Sequence, residues 1–263
     1  MGAIQGMAVS SIAATNLGPR FGVVNLPFLI DSFEKLETFI TKGGKTFDHF
    51  MMAMDHQGIM GIDITTYGNY GWASIDPIRT LEDLKKVKFR IGEAAVNKLT
   101  YDSWGVKPVV MPWPDVPIAL KQGVVTALDH TLVVMNITKK FEVCKYFTQV
   151  DFAQGLFIWI FNKGWFNSLP KDLQKTFVEV VHDVCTRCRP LGAKLEEEQI
   201  ADAKKTYNVE FIKLSAADMS KLRKDGNAVH IKYKDEINKL YPGDKYKPAD
   251  YLKEVQDFMG YKP

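Results

Sequence analysis

The chain has 263 residues, 46% of them apolar and 25% charged, with a formal net charge of +3 at pH 7. That composition fits a globular protein with a sizeable core, in one large domain or two lobes of ordinary size. So small a charge, with Lys and Arg scattered rather than striped, argues against nucleic acid or anionic lipid as a partner, and no apolar run approaches the roughly 18 residues that span a bilayer.

Met1 to Val9 is apolar, yet no Lys or Arg precedes it, so it does not read as an export signal. Ala8 to Ile12 reads as a short strand. Asp31-Ser32-Phe33-Glu34 has capping-box spacing, and Phe33, Leu36, Phe39 and Ile40 follow at helical spacing. Gly43-Gly44 interrupts that pattern, Phe47, Phe50, Met51 and Met54 resume it, and Gly58 stops it before a β-rich run from Ile59 to Thr65. Tyr67-Gly68-Asn69-Tyr70-Gly71-Trp72, taken alone, reads as a packed aromatic loop.

Thr80 caps a short helix that ends before a strand over Val87 to Ile91. Ala94 to Trp104 is helical and closes at Gly105; Pro108 to Met111 is a strand. Pro114 suits the first turn of a helix running to Gln122, closed by Gly123, and Thr126 to His130 is the next strand. Phe157-Ile158-Trp159-Ile160-Phe161 is continuously apolar and predicts a buried central strand. Pro170 to Thr206 is helical, with a stripe from Leu173 to Leu195 and a kink expected at Pro190. Asn208 to Leu214 is a late strand, and Ser215 to Leu240 a Lys-rich surface helix. Strands alternating with helices across short Gly/Pro turns predict an α/β architecture.

The three cysteines give little chemistry. Cys144 reads as a small buried apolar residue. Cys185 and Cys188 lie within the long helical pattern, with His182 one turn earlier, which leaves helix packing, a local disulfide and a metal ligand set all open. No G-x-S-x-G elbow, H-E-x-x-H helix, Walker loop or G-x-G-x-x-G fingerprint is present. The residues therefore speak against an enzyme, and they imply no cofactor and no metal.

Four punctuated pieces recur in fixed order: Pro77 to Leu84; Val87-Lys88-Phe89-Arg90-Ile91; Met111-Pro112-Trp113-Pro114-Asp115-Val116 with Ala119 to Val125; and Asn162-Lys163-Gly164-Trp165-Phe166-Asn167-Ser168-Leu169-Pro170. In order and spacing they resemble the DctP-type solute-binding proteins of tripartite ATP-independent periplasmic (TRAP) transporters. The likeness runs from Met1 to about residue 200 and is tightest over 77–170.

The resemblance implies a two-lobed periplasmic-binding-protein-like (class II) α/β fold, with interlobe hinge strands and a long lobe-crossing helix. One lobe would comprise 1–67 plus 156–193, the other 68–155 plus 194–263. It implies periplasmic capture of a small organic acid and delivery to a small and a large membrane subunit. A periplasmic module that signals through the same closure is the other reading of this scaffold. On the same likeness the N-terminus corresponds to a passage inside the first lobe, without the family's export signal and first βα segment. An exposed sheet edge and a weakened or oligomeric first lobe are the expected consequences.

Arg90 is the central candidate. Val87, Phe89 and Ile91 alternate with Lys88 and Arg90, so Arg90 stands on the polar side of its strand. Read alone, it is a solvated strand arginine; the resemblance makes it the guanidinium that grips a ligand carboxylate through two parallel hydrogen bonds. By the same likeness Trp113, held between prolines, becomes a pocket wall, and Ser10 and Phe157 become ligand-facing. Two departures bear on the ligand. His130 stands where the family has an asparagine, with an imidazole whose charge varies near neutral pH. Tyr70 stands where many relatives carry a second arginine, and with Trp72 it favours a monocarboxylate with an apolar or aromatic body over a dicarboxylate.

Overall fold

The computed structural model describes residues 4–240 and 248–262. Strand β1 (Gly6–Ser10) stops where the Ser10 hydroxyl accepts the Ala13 N–H and opens α1 (Ser11–Ala14), two residues before the expected strand end. A 3-10 stretch (Pro19–Asn25) leads to α2 (Phe33–Lys42), capped by Ser32, and α3 (Lys45–Met51) follows the Gly43-Gly44 break. Strand β2 (Ile59–Ser74) then runs 16 residues, so the supposed aromatic loop is its second half.

A Thr80–Asp83 capping box opens α4 (Leu81–Leu84), which is followed by β3 (Phe89–Ile91) and α5 (Ala95–Ser103). Next come β4 (Val109–Val110), α6 (Val116–Lys121), β5 (Ala127–Thr131), α7 (Leu132–Ile137), β6 (Tyr146–Gln149) and β7 (Gln154–Asn162). The chain continues through α8 (Lys163–Ser168), α9 (Lys171–Lys194), α10 (Glu196–Tyr207), β8 (Glu210–Lys213), α11 (Ala216–Leu240) and α12 (Pro248–Phe258).

The strand order β1-β7-β2-β5-β3-β4 places β2 near the centre, with β6 paired to β2 and β8 paired to β6. The first part of β2 pairs antiparallel with β7, and its last residues pair with β5 on one edge and β6 on the other. β6 and β7 thus follow one another along a single edge of β2. Both lines are irregular at the same level: β2 shifts register between Thr66 and Asn69 around Gly68 (φ 106°), and Asp151, between β6 and β7, has φ 51°. Only glycine tolerates the Gly68 conformation without strain.

This crossing separates two bodies of apolar packing. One cluster gathers Phe21, Phe39, Phe50, Ile64 and Ile158, with Phe21 and Phe50 edge-to-face at 5.0 Å. On the other side Trp72, Phe89, Tyr101 and Trp104 pack together, and Leu128, Phe141 and Phe147 form an adjoining cluster. The fold is α/β and two-lobed, as the resemblance implied. The C-terminal segment differs from the expected division: Val229 and Tyr233 of α11, with Tyr251, Leu252 and Val255 of α12, join the first cluster. Residues 194–263 therefore do not all pack with the second lobe. The helix expected to lie on the surface buries Leu222, Val229, His230 and Tyr233, an apolar stripe that its many lysines obscured.

The long helix does not stop at Pro190; α9 continues to Lys194 and the chain restarts as α10 at Glu196. Its expected stripe is only partly covered, since Leu173, Val180, Leu191 and Leu195 are exposed. What ties α9 to β2 is polar. Buried Arg189 donates through Nη1 to Asp63 (3.1 Å) and the Ile64 carbonyl (3.3 Å), and through Nε to Glu37 (2.6 Å). Cys144, Cys185 and Cys188 are all free thiols, and burial, reinforced by Asp63, pushes Cys185 up to about 12. Among the described residues no helix is long and apolar enough to cross a membrane, and no group of three His, Cys, Asp or Glu side chains is placed to hold a metal ion.

Candidate functional site

A cavity of about 660 Å³ lies beside the crossing, lined by the end of β1, the middle of β2, β3, β5, β7 and the turn before α6. That volume falls in the range of small-molecule sites. Ser10, Tyr70, Arg90, Trp113, His130 and Phe157 all line it. Trp72 does not. It is fully buried in the second cluster, and its indole N–H donates to the Tyr101 hydroxyl at 3.1 Å. On a regular strand it shares a face with Tyr70, but it lies one step deeper, covered by Phe89 and Trp104.

Arg90 is held on β3 between β5 and β4, with every residue of that short strand buried. The residue is 5% exposed, so it lines the cavity rather than reaching into open solvent. Nε and Nη2 both donate to the Met111 carbonyl, at 3.0 and 2.6 Å, which fixes the plane of the fork. Nη1 makes no hydrogen bond among the described residues. Glu93, three residues after Arg90, also lines the cavity but forms no ion pair with it. Burial lowers the arginine's pKa from its ordinary value, against the opposing charges of Asp129 and Tyr70.

Trp113 begins a short 3-10 turn behind Pro112, and both Arg90 (5.4 Å) and Lys140 (4.8 Å) lie over its ring. Such cation–ring contacts fix the indole while satisfying part of the buried charge. The His130 ring lies 4.7 Å from it. His130 Nδ1 accepts the Thr131 N–H at 2.9 Å, which leaves the proton on Nε2. Burial first, then Arg90 and Lys140, push His130 down to about 3. The imidazole is therefore a neutral donor throughout the physiological range, which corrects the expectation of a charge that varies near neutral pH.

Ser10 and Phe157 are register partners on β1 and β7. Ser10 spends an acceptor lone pair on capping α1, and Phe157, 37% exposed, lies 4.6 Å from the Tyr67 ring. The expected fully buried strand is thus buried on one face only. Leu156, Ile158 and Ile160 enter the core, while Phe157 turns to the cavity and Phe161 meets Phe177 of α9 at 4.8 Å.

Tyr67, Asn97 and Asp129 complete the wall and were not singled out from sequence. Strict alternation puts Tyr67 and Tyr70 on opposite faces of a strand. The register shift around Gly68 brings them together instead, hydroxyl to hydroxyl at 3.2 Å. Gly155 makes room, since a Cβ there would stand 2.3 Å from the Tyr67 ring. Burial pushes Tyr67 up to about 12 and Tyr70 well above the usual phenol value, so both remain hydroxyl groups. Asp129 is 3% exposed, and burial pushes it up to about 6 although Arg90 and the Tyr101 hydroxyl pull it down. Its signal in the sequence is an acid next to His130 in the short strand β5.

Comparison with known proteins shows the family and the fold. The family model of DctP, the bacterial extracellular solute-binding proteins of family 7, matches residues 1–236. The 2,3-diketo-L-gulonate-binding periplasmic protein YiaO of Escherichia coli is 24% identical over 92% of this chain and 70% of its own length. The periplasmic ectoine-binding protein of the TeaABC TRAP transporter from Halomonas elongata superposes with a TM-score of 0.89 at 16% identity, over 99% of this chain and 83% of that one. A TRAP periplasmic solute-binding protein from Desulfovibrio salexigens with bound orotic acid gives 0.88 at 21% identity, over 98% and 81%. The chain belongs to the DctP family of TRAP solute-binding proteins, a family of extracytoplasmic binders rather than enzymes.

Proposed function

We propose that this protein captures a small monocarboxylate with an apolar or aromatic body in the periplasm and presents it to TRAP membrane subunits, with Arg90 pairing the ligand's carboxylate. One observation carries the reading: a buried guanidinium lines the cavity and, among the described residues, its Nη1 is uncommitted and no acid is bonded to it. An arginine fork matches the two oxygens of a carboxylate, and buried charge is stable only when paired. Neutral His130 at Nε2 and the Ser10 hydroxyl are further donors, while Tyr67, Tyr70, Trp113 and Phe157 supply the apolar wall.

Closure would bend β2 near 66–69 and the β6–β7 line near 150–153, where both depart from regular pairing. The lobes on this reading are the two packing bodies, with Val229, Tyr233, Tyr251, Leu252 and Val255 assigned to the first. Native mass spectrometry of protein purified without refolding identifies what is bound, and a thermal-shift screen of organic acids ranks it. The ligand is expected to raise the melting temperature of the wild type but not of Arg90→Ala. Equal stabilisation of both would overturn the role of Arg90.

A further inference from the structure

Resting on that reading of the site, we propose that Lys140 is a positioning residue of the cavity: from behind the wall, its ammonium pins the Trp113 indole in place before an acid arrives. Lys140 is 7% exposed and does not line the cavity, whereas Trp113 and Thr138 do. Its Nζ lies 4.8 Å over the Trp113 ring and donates to the Thr138 carbonyl at 3.3 Å. Among the described residues no acid pairs with it, so one long hydrogen bond and one ring face serve a group with three donors. Cys144 is pushed up to about 12 by burial and stays a neutral thiol, so it offers no counter-charge. A buried ammonium without a counter-ion is costly, and indole is the ring that offsets one best.

The backbone is bent to put the ammonium there. Helix α7 ends at Ile137, and Lys139 takes the left-handed conformation (φ 55°) before the 3-10 turn that Lys140 opens. That conformation is unfavourable for a residue with a Cβ and persists only where surrounding contacts hold it. Trp113, for its part, has no polar anchor. Its indole N–H makes no hydrogen bond among the described residues, and Arg90 (5.4 Å), Lys140 and His130 (4.7 Å) are what touch its ring. On the carboxylate reading Arg90 turns to the acid, which leaves Lys140 to hold the indole. The charge of Lys140 also reaches the cavity wall, since with Arg90 it helps to push His130 down.

The test compares wild type, Lys140→Met and Lys140→Arg by the heteronuclear NOE of the indole N–H signals, with Trp113 assigned through Trp113→Phe. In the wild type Trp113 should be as rigid as buried Trp72, and Lys140→Met should lower its NOE while leaving Trp72 unchanged. Lys140→Arg keeps a cation that stacks on indole and should restore the value. Urea unfolding should find Lys140→Met no less stable than wild type, because the substitution removes a buried charge at similar volume. Benzoate, used as a small aromatic acid, should bind Lys140→Met about five-fold more weakly than wild type, with Lys140→Arg close to wild type. A mobile Trp113 in the wild type, which needs no variant to detect, overturns the inference. So does an unchanged NOE or benzoate affinity in Lys140→Met, or a stability loss that marks Lys140 as a structural residue only. The NOE is read with no acid present, so Lys140 is judged by it even if wild type and Arg90→Ala respond equally to acids, the result that overturns the carboxylate reading.

Discussion

Two buried arginines, Arg90 in the cavity and Arg189 in the seam between α9 and β2, have the same side chain at nearly the same burial and different surroundings. Arg189 is 2% exposed and fully employed: Asp63, Glu37, the Ile64 carbonyl and the Thr186 hydroxyl take its donors, and His182 adds a 2.6 Å contact on the other Asp63 oxygen. Arg90 is 5% exposed and meets one backbone carbonyl. A charge neutralised by its own protein holds structure together. A charge positioned at a cavity wall without an acid bonded to it is available to something that arrives later. Burial alone does not distinguish the two; the tally of partners does.

The sharpest way to break this comparison is to remove each guanidinium in turn. Arg189→Ala leaves Asp63 as an uncompensated buried charge and is expected to cost about 3–5 kcal/mol in urea unfolding. Arg90→Ala strands no hydrogen-bonded acid but removes the positive charge that holds buried Asp129 down, so unfolding stability should fall less than in Arg189→Ala while ligand affinity falls by about 2–5 kcal/mol. Equal destabilisation by the two substitutions would erase the distinction.

A smaller effect comes from pH. Burial raises Asp129 and Asp151 to about 6, above the ordinary aspartate value, so between roughly pH 4 and 6 the folded protein binds protons that the unfolded chain has released. Their contribution to stability therefore falls as pH rises through that window. His130 and His230 run the other way, because burial lowers them to about 3 and 4 and the unfolded chain takes up protons first as pH drops below about 6.5. Asp129→Asn removes one ionisation penalty. Unfolding in urea should show it more stable than wild type at pH 8, by on the order of 2 kcal/mol, with little difference at pH 4. A gain that is the same at both pH values would contradict the sign. The smallest effect is expected from His182→Gln. That ring is half exposed and Asp63 keeps Arg189, so the loss should stay within about 1 kcal/mol and shrink with added salt.

Much of the site was legible because its parts sit next to strong punctuation. Arg90 alternates with Phe89 and Ile91, Trp113 is bracketed by prolines, and His130 ends a strand that follows Gly123. What the sequence concealed depended on departures from period and on distant packing. Tyr67 reaches the cavity only through the register shift around Gly68, and regular alternation sends it elsewhere. Trp72 had the right composition and face but lies too deep, behind Tyr101 and Trp104. Asp129 is a lone acid in the short strand β5, and its importance comes from Arg90 and Asn97, residues remote in the chain. The same holds for α11 and α12, whose packing on the first cluster no local pattern announces.

The central claim is tested most directly by a crystal structure of the protein with its native acid bound. The account predicts a carboxylate oxygen within hydrogen-bonding distance of Arg90 Nη1, with the Met111 carbonyl still held by Nε. A ligand whose acid group is bound elsewhere in the cavity, with Arg90 Nη1 still uncommitted, would contradict it.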